Sequence, residues 1–150
     1  MQSVTLIIDK RLELSTKYKK LLESETNNVI VSKDLISAVK IIQDKEPDLI
    51  IISDSFDNDL SDFCRQVRAL TYNMRPIIVA MSKSADFSDR INVLNSGADD
   101  FLSEPVNPEE FKVRINAHLR REYESNLDSK KLITSRNYTL RAIKRKLSEN

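Results

Sequence analysis

Short apolar runs alternate with longer stretches of helical period along this chain, regularly enough to predict the elements one by one. Val4–Ile8 is an apolar run ended by Asp9 and Lys10, the length and content of a buried strand. Leu14, Tyr18, Leu21 and Leu22 then recur at helical spacing until Asn27–Asn28 breaks the pattern. Val29–Val31 is a short second strand. A second helix over Ser32–Asp44 is expected to turn Leu35, Ile36, Val39 and Ile42 inward, and Pro47 stops it. Leu49–Ile52 is nearly all apolar, as a central parallel strand covered on both faces would be. After the polar, turn-rich Asp54–Asp62, Phe63, Val67 and Leu70 stripe a third helix, and Ile77–Met81 forms a fourth strand. A fourth helix is expected over about Asp86–Asn95, with Phe87, Ile91 and Leu94 inward. Gly97 supplies the turn into a fifth strand, Phe101–Leu102, and Pro108 sits one residue inside a helix that Asn107 can cap.

Strands alternating with helices predict an α/β fold, a parallel sheet with helices on both faces and right-handed crossovers. In such sheets function gathers at the carboxyl ends of the strands. Those ends hold Asp9, Lys10, Ser53, Asp54, Ser82 and Glu104. Beyond the last strand, Phe111, Ile115, His118, Leu119 and Tyr123 continue one apolar stripe to about Leu127. A polar break, DSKK, follows, and Tyr138, Leu140, Ile143 and Leu147 stripe a last basic helix. Residues 1–126 thus read as one domain, and 127–150 as a linker and helical extension.

Composition narrows the function classes. An apolar fraction of 40% beside 31% charged residues is ordinary for a soluble protein. No apolar run approaches the roughly 20 residues that span a bilayer, and the N-terminus lacks the basic region and cleavage site of a signal peptide. Cys64 is the only cysteine, so no internal disulfide exists and a cytoplasmic location is expected. Cys64 is expected to pack in a helix, and His118, the only histidine, to be structural or exposed. The net charge of +1 divides into +7 from Lys112 onward and −6 before it. Because the basic residues alternate with apolar positions at helical spacing, the tail reads as a solvated helix face, not a nucleic-acid site. With one glycine in the chain, Gly-rich phosphate loops are absent.

Four segments carry a resemblance: LIIDK at 6–10, EPDLIIISD at 46–54, RPIIVAMS at 75–82 and GADDFLSEPV at 97–106. In order and spacing they resemble the landmark strands of CheY-like response-regulator receiver domains, over roughly residues 3–125. The resemblance implies a doubly wound five-stranded sheet of order 2-1-3-4-5. It also implies two-component signalling, in which a histidine kinase or another signalling protein is the partner and an aspartate is phosphorylated. Receiver chemistry uses two acids after the first strand and an acceptor aspartate after the third to hold Mg²⁺ through oxygen ligands. A lysine and a Ser/Thr hydroxyl then orient the phosphoryl oxygens. Here Asp9 matches the first acid, but the second is Lys10; Ser82 matches the hydroxyl, and Glu104 stands where the lysine belongs. Phe101 matches the aromatic position associated with switching. Counting from Pro47 places the acceptor at Ser53, whereas spacing to Ser82 and carboxylate chemistry favour Asp54, and a one-residue slip reverses which side chain enters the pocket. Asp54 is the preferred candidate, and Asp9 and Asp54 are the metal ligands if Mg²⁺ binds.

With Asp54 as acceptor, the pocket Asp9, Lys10, Asp54, Ser82, Glu104 keeps the family's total charge of three acids and one lysine but exchanges sign at two positions. Lys10 is expected to bridge to Asp54 or Glu104 in place of the metal, since opposite charges about 4 Å apart gain on the order of 4 kcal/mol at an effective dielectric near 20. That predicts a pseudo-receiver acting through protein–protein contacts, with no enzyme activity, no required cofactor and weak Mg²⁺ binding at most. The alternative is a phosphorylatable receiver that uses Asp54 to control a C-terminal output domain. The face of the fourth and fifth helices, near Ile91, Phe101, Phe111 and Ile115, is a candidate for homodimerisation. ESNLDSKKLITSRNYTLRAIKRKL at 124–147 resembles the linker and opening helix of a diguanylate cyclase domain, which would make this chain the N-terminal part of a longer regulator.

Overall fold

A computed structural model describes residues 2–57, 59–84 and 86–127. Five strands, β1 (Ser3–Ile8), β2 (Asn27–Ser32), β3 (Leu49–Ser53), β4 (Ile77–Ser82) and β5 (Asp100–Ser103), form one parallel sheet in the order β2-β1-β3-β4-β5. Between them lie α1 (Leu12–Leu22), α2 (Leu35–Lys45), α3 (Leu60–Leu70) and α4 (Phe87–Asn95). A fifth helix, α5, occupies residues 108–127. This is the doubly wound α/β arrangement of the CheY type. By its internal contacts the chain divides into Met1–Leu119 and Arg120–Asn150. The apolar stripe expected over Tyr138–Leu147 lies outside the described residues.

Every residue of β3 is buried, because β1 and β4 flank it and a layer of helices covers each face. On one side Ile8, Ile50, Ile52 and Ile78 meet Ala38 and Ile42 of α2, Phe63, Cys64 and Val67 of α3, and Val93 of α4. On the other side Ile7, Ile51, Val79 and Leu102 meet Tyr18 and Leu22 of α1 and Phe111 and Ile115 of α5. Each such side chain contributes roughly 1.5–3 kcal/mol by leaving water. Cys64 is fully buried, and that burial pushes its thiol up to about 12, so it packs as a small neutral side chain.

Aspartates organise the element starts. Asp34, Asp59 and Asp86 cap α2, α3 and α4, accepting from the backbone N–H of Ser37, Ser61 and Ser88. The hydrogen bonds from Ser37 hold the Asp34 carboxyl below the usual carboxylate range. Asn107 Oδ1 accepts from Glu109 N (2.9 Å) and Glu110 N (3.2 Å) at the start of α5. Asp48 and Asp99, each just before a strand, accept from the N–H of Val4 and Ile78 on the neighbouring strand, both at 2.8 Å.

Two helices face otherwise than their periodicity suggests. In α4, Phe87, Ile91 and Leu94 are 72%, 40% and 39% exposed, and only Val93 is buried. In the turn that follows, Ser96 N and Ala98 N both donate to Val93 O, closing the helix beside the buried Val93. In α2, Ala38 and Ile42 take the inner positions and Ile36 is 85% exposed. Leu70, at the last turn of α3, is likewise exposed.

The turn into β5 requires its glycine. Gly97 has φ +122°, and a Cβ there would stand 3.0 Å from Arg68 Cβ. Arg68 cannot easily yield, since it donates to Gly97 O, Pro76 O and Asp99 Oδ2. Gly97→Ala is expected to cost about 1–3 kcal/mol, read as a lower urea midpoint with unchanged slope.

Candidate functional site

The loops after β1, β3, β4 and β5 converge at the carboxyl edge of the sheet. Asp9 N donates to Ser32 O, Asp54 N to Met81 O and Glu104 N to Ser82 O, so each residue continues its strand one step past the paired region. Asp9 and Glu104 are buried, whereas Asp54 is exposed.

Arg11 is the centre of the site. Its Nε lies 3.0 Å from Asp9 Oδ1, and its Nη2 lies 3.0 Å from Asp9 Oδ2 and 3.0 Å from both Glu104 oxygens. Its backbone N–H also donates to Asp9 Oδ1 at 2.8 Å. The Tyr18 hydroxyl donates to Glu104 Oε2 at 2.6 Å. One guanidinium therefore joins the end of β1 to the end of β5, with two nearly inaccessible carboxylates as its partners. The hydrogen bond to Asp9 and then that to Glu104 outweigh burial and raise the Arg11 pKa above even the usual arginine range. Burial first, and then the bond to Glu104, push the Tyr18 hydroxyl well above the usual tyrosine range. Arg11 occupies the N-cap position of α1 but makes no side-chain cap, so that helix end gives up a stabilising contact to the site.

The expected bridge through Lys10 is thus corrected. The Lys10 side chain is exposed and, among the described residues, forms no ion pair. Its neighbour Arg11 has the longer, forked side chain that two carboxylates can share. Lys10 takes part through its backbone, donating to Ser55 Oγ at 2.9 Å. Between the two acceptor candidates, Asp54 has its carboxylate beside the hydroxyl residue: Ser82 Oγ donates to Asp54 Oδ2 at 3.0 Å and accepts from Ser84 N. Ser53 Oγ is buried and lies 2.7 Å from Ser55 Oγ. Phe101 is buried on β5 beneath the Arg90 guanidinium, 5.3 Å from its ring centroid, and Arg90 also donates to Ser103 Oγ. His118 sits on α5 with Nε2 2.9 Å from Asp100 Oδ2.

Arg11 and Tyr18 were not read from sequence as site residues. The signal for Arg11 was the unmatched Glu104, a buried acid that needs a cation. Tyr18 was placed in the core stripe, where its ring does pack, 4.9 Å from that of Phe111, while its hydroxyl reaches Glu104.

A hard divalent cation needs several free oxygen donors. Both Asp9 oxygens are engaged by Arg11, the next residue is lysine, and among the described residues no three His, Cys, Asp or Glu side chains gather to hold a metal. As arranged, the residues do not fit Mg²⁺.

Residues 5–116 match the family described as Response regulator receiver domain. The chain belongs to the response-regulator receiver family. It is 36% identical over 93% of its length to the response regulator GtcR of Aneurinibacillus migulanus, covering 57% of that protein. It is 32% identical over 80% of its length to the transcriptional regulatory protein YvrH of Bacillus subtilis, covering 50% of it. The chain thus spans about half the length of these curated relatives. Among solved structures, a two-component response regulator from Clostridium difficile matches at 30% identity and TM-score 0.72, over 80% of this chain and 98% of that one. A CheY-like receiver from Methanospirillum hungatei has the same fold, with TM-score 0.73 at 19% identity over 83% of this chain and 99% of that one. Among the described residues no helix is long and apolar enough to cross a membrane.

Two outcomes are expected. Arg11→Ala leaves two buried acids without a cation and should cost about 3 kcal/mol in urea unfolding at neutral pH. Tyr18 has its folded pKa raised, so its contribution is full below the unfolded value near 10 and fades as pH climbs above it. Stability measured at pH 9 and pH 11 should therefore fall more in the parent than in Tyr18→Phe.

Proposed function

We propose that this is an atypical receiver module of two-component signalling that works through protein–protein contacts, without Mg²⁺-dependent phosphorylation. The observation that carries this reading is the Arg11 guanidinium, held by both oxygens of Asp9 and both of Glu104. It puts a fixed cation on both oxygens of Asp9, which would otherwise be free to bind a metal. Glu104 adds negative charge at the position from which the family's lysine would approach a phosphoryl group. The exposed stripe Phe87, Ile91 and Leu94 on α4 offers an apolar surface to a partner or a second copy. The half-length coverage of the relatives supports an attached output domain, and the name of YvrH favours a transcriptional output over a cyclase.

A second reading keeps Asp54 as phosphoacceptor. Its carboxylate is exposed, is not bound by Arg11, and has the Ser82 hydroxyl beside it. Incubation with acetyl phosphate and Mg²⁺ decides between them. The expected result is no stoichiometric phosphorylation by intact mass, and no Mg²⁺-induced shift in amide NMR spectra. Full labelling that disappears in Asp54→Asn would establish the second reading.

A further inference from the structure

Strand β2 is one edge of the sheet, and its free side can be deduced from printed hydrogen bonds at its two ends. Ser3 N donates to Thr26 O and Asp9 N to Ser32 O, so the even-numbered residues of this segment turn their peptide groups toward β1. Asn27 turns the other way, exchanging N–H and carbonyl hydrogen bonds with Ser24. The alternation therefore aims the peptide groups of Val29 and Val31 outward, where no strand follows; Val29 is buried, and Val31 is half-buried and open to solvent. Beside them lies an open groove of about 630 Å³, walled on the α1 side by Leu12, Thr16, Lys19, Lys20 and, at its far end, Glu23, so that its lysines outnumber its acids two to one. Leu12 is 78% exposed there. Lys19 has only a 3.9 Å pairing with Glu23, and Lys20 forms no ion pair among the described residues. Edge strands are commonly blunted by a lysine, a proline or a bulge, and β2, NNVIVS, carries none of these in its own sequence.

We propose that this edge is a docking strand for an extended acidic segment of a partner protein. Such a segment would hydrogen-bond to the outward peptide group of Val31, set an apolar side chain on Leu12, and bring carboxylates to Lys19 and Lys20. Charge selects this occupant. A second copy pairing edge to edge would bring two such lysine pairs to one interface, a like-charge contact.

The probe is a fluorescein-labelled peptide of alternating Glu and Val, compared with its Lys–Val counterpart by fluorescence anisotropy against the full chain. The Glu–Val peptide should bind at least about tenfold more tightly. Val31→Pro removes an outward N–H without touching the β1 pairing and should weaken binding by about tenfold or more. Lys19→Glu with Lys20→Glu should abolish or invert the preference while the thermal midpoint stays within a few degrees, and this holds whether or not Val31→Pro folds. The proposal is overturned by equal binding of the two peptides, by a preference that survives the charge reversal, or by no binding. Self-association that Val31→Pro abolishes would overturn it in favour of a second copy.

Discussion

The strand Leu49–Ser53 has no side in water, and much else in this domain follows from that. A strand buried on both faces needs a neighbour at each edge and a helix layer above and below. It also pushes polar chemistry to its ends. At the amino end, Asp48 and its counterpart Asp99 use their carboxylates to secure the start of a neighbouring strand. At the carboxyl end, the chain emerges from the core with Asp54 exposed and hydrogen-bonded to Ser82. The site lies where it does because the sheet interior has no place for it.

Within that frame the receiver pocket has been rearranged more than emptied. Its positive charge comes from the loop after β1 in place of the end of β5, and a planar guanidinium with several donors replaces a single ammonium. The exchange changes what the charge can do. A lysine at the end of β5 can reach toward a newly arrived phosphoryl group, whereas Arg11 already has four carboxylate oxygens around it. Tyr18 supports the arrangement from α1, giving its proton to Glu104 and its ring to Phe111.

The fold was legible because its signals are redundant. Apolar runs, turn residues, caps and spacing all describe the same sheet, and no single error could displace it. The strand-end candidates fall into two contacts: Asp9 and Glu104 share Arg11, and Ser82 donates to Asp54. The identity of the cation was not legible, because strand periodicity says nothing about how a loop residue such as Arg11 turns back. Helix direction was also partly hidden. Periodicity finds an apolar stripe but not which side of the helix meets the sheet: Val93 does, and Phe87, Ile91 and Leu94 stay exposed. Tyr18 shows a related gap, since one side chain serves the core with its ring and the site with its hydroxyl.

Arg11 and Glu104 lie 93 residues apart, so their contact joins nearly the first and last parts of the domain to be synthesised. On a ribosome, Asp9 and Arg11 emerge long before their second acid exists, and until then the arginine has only one local carboxylate to bind. The bridge can form only once β5 has left the exit tunnel and joined the sheet. The cluster is therefore complete only in a chain that has been made through its fifth strand.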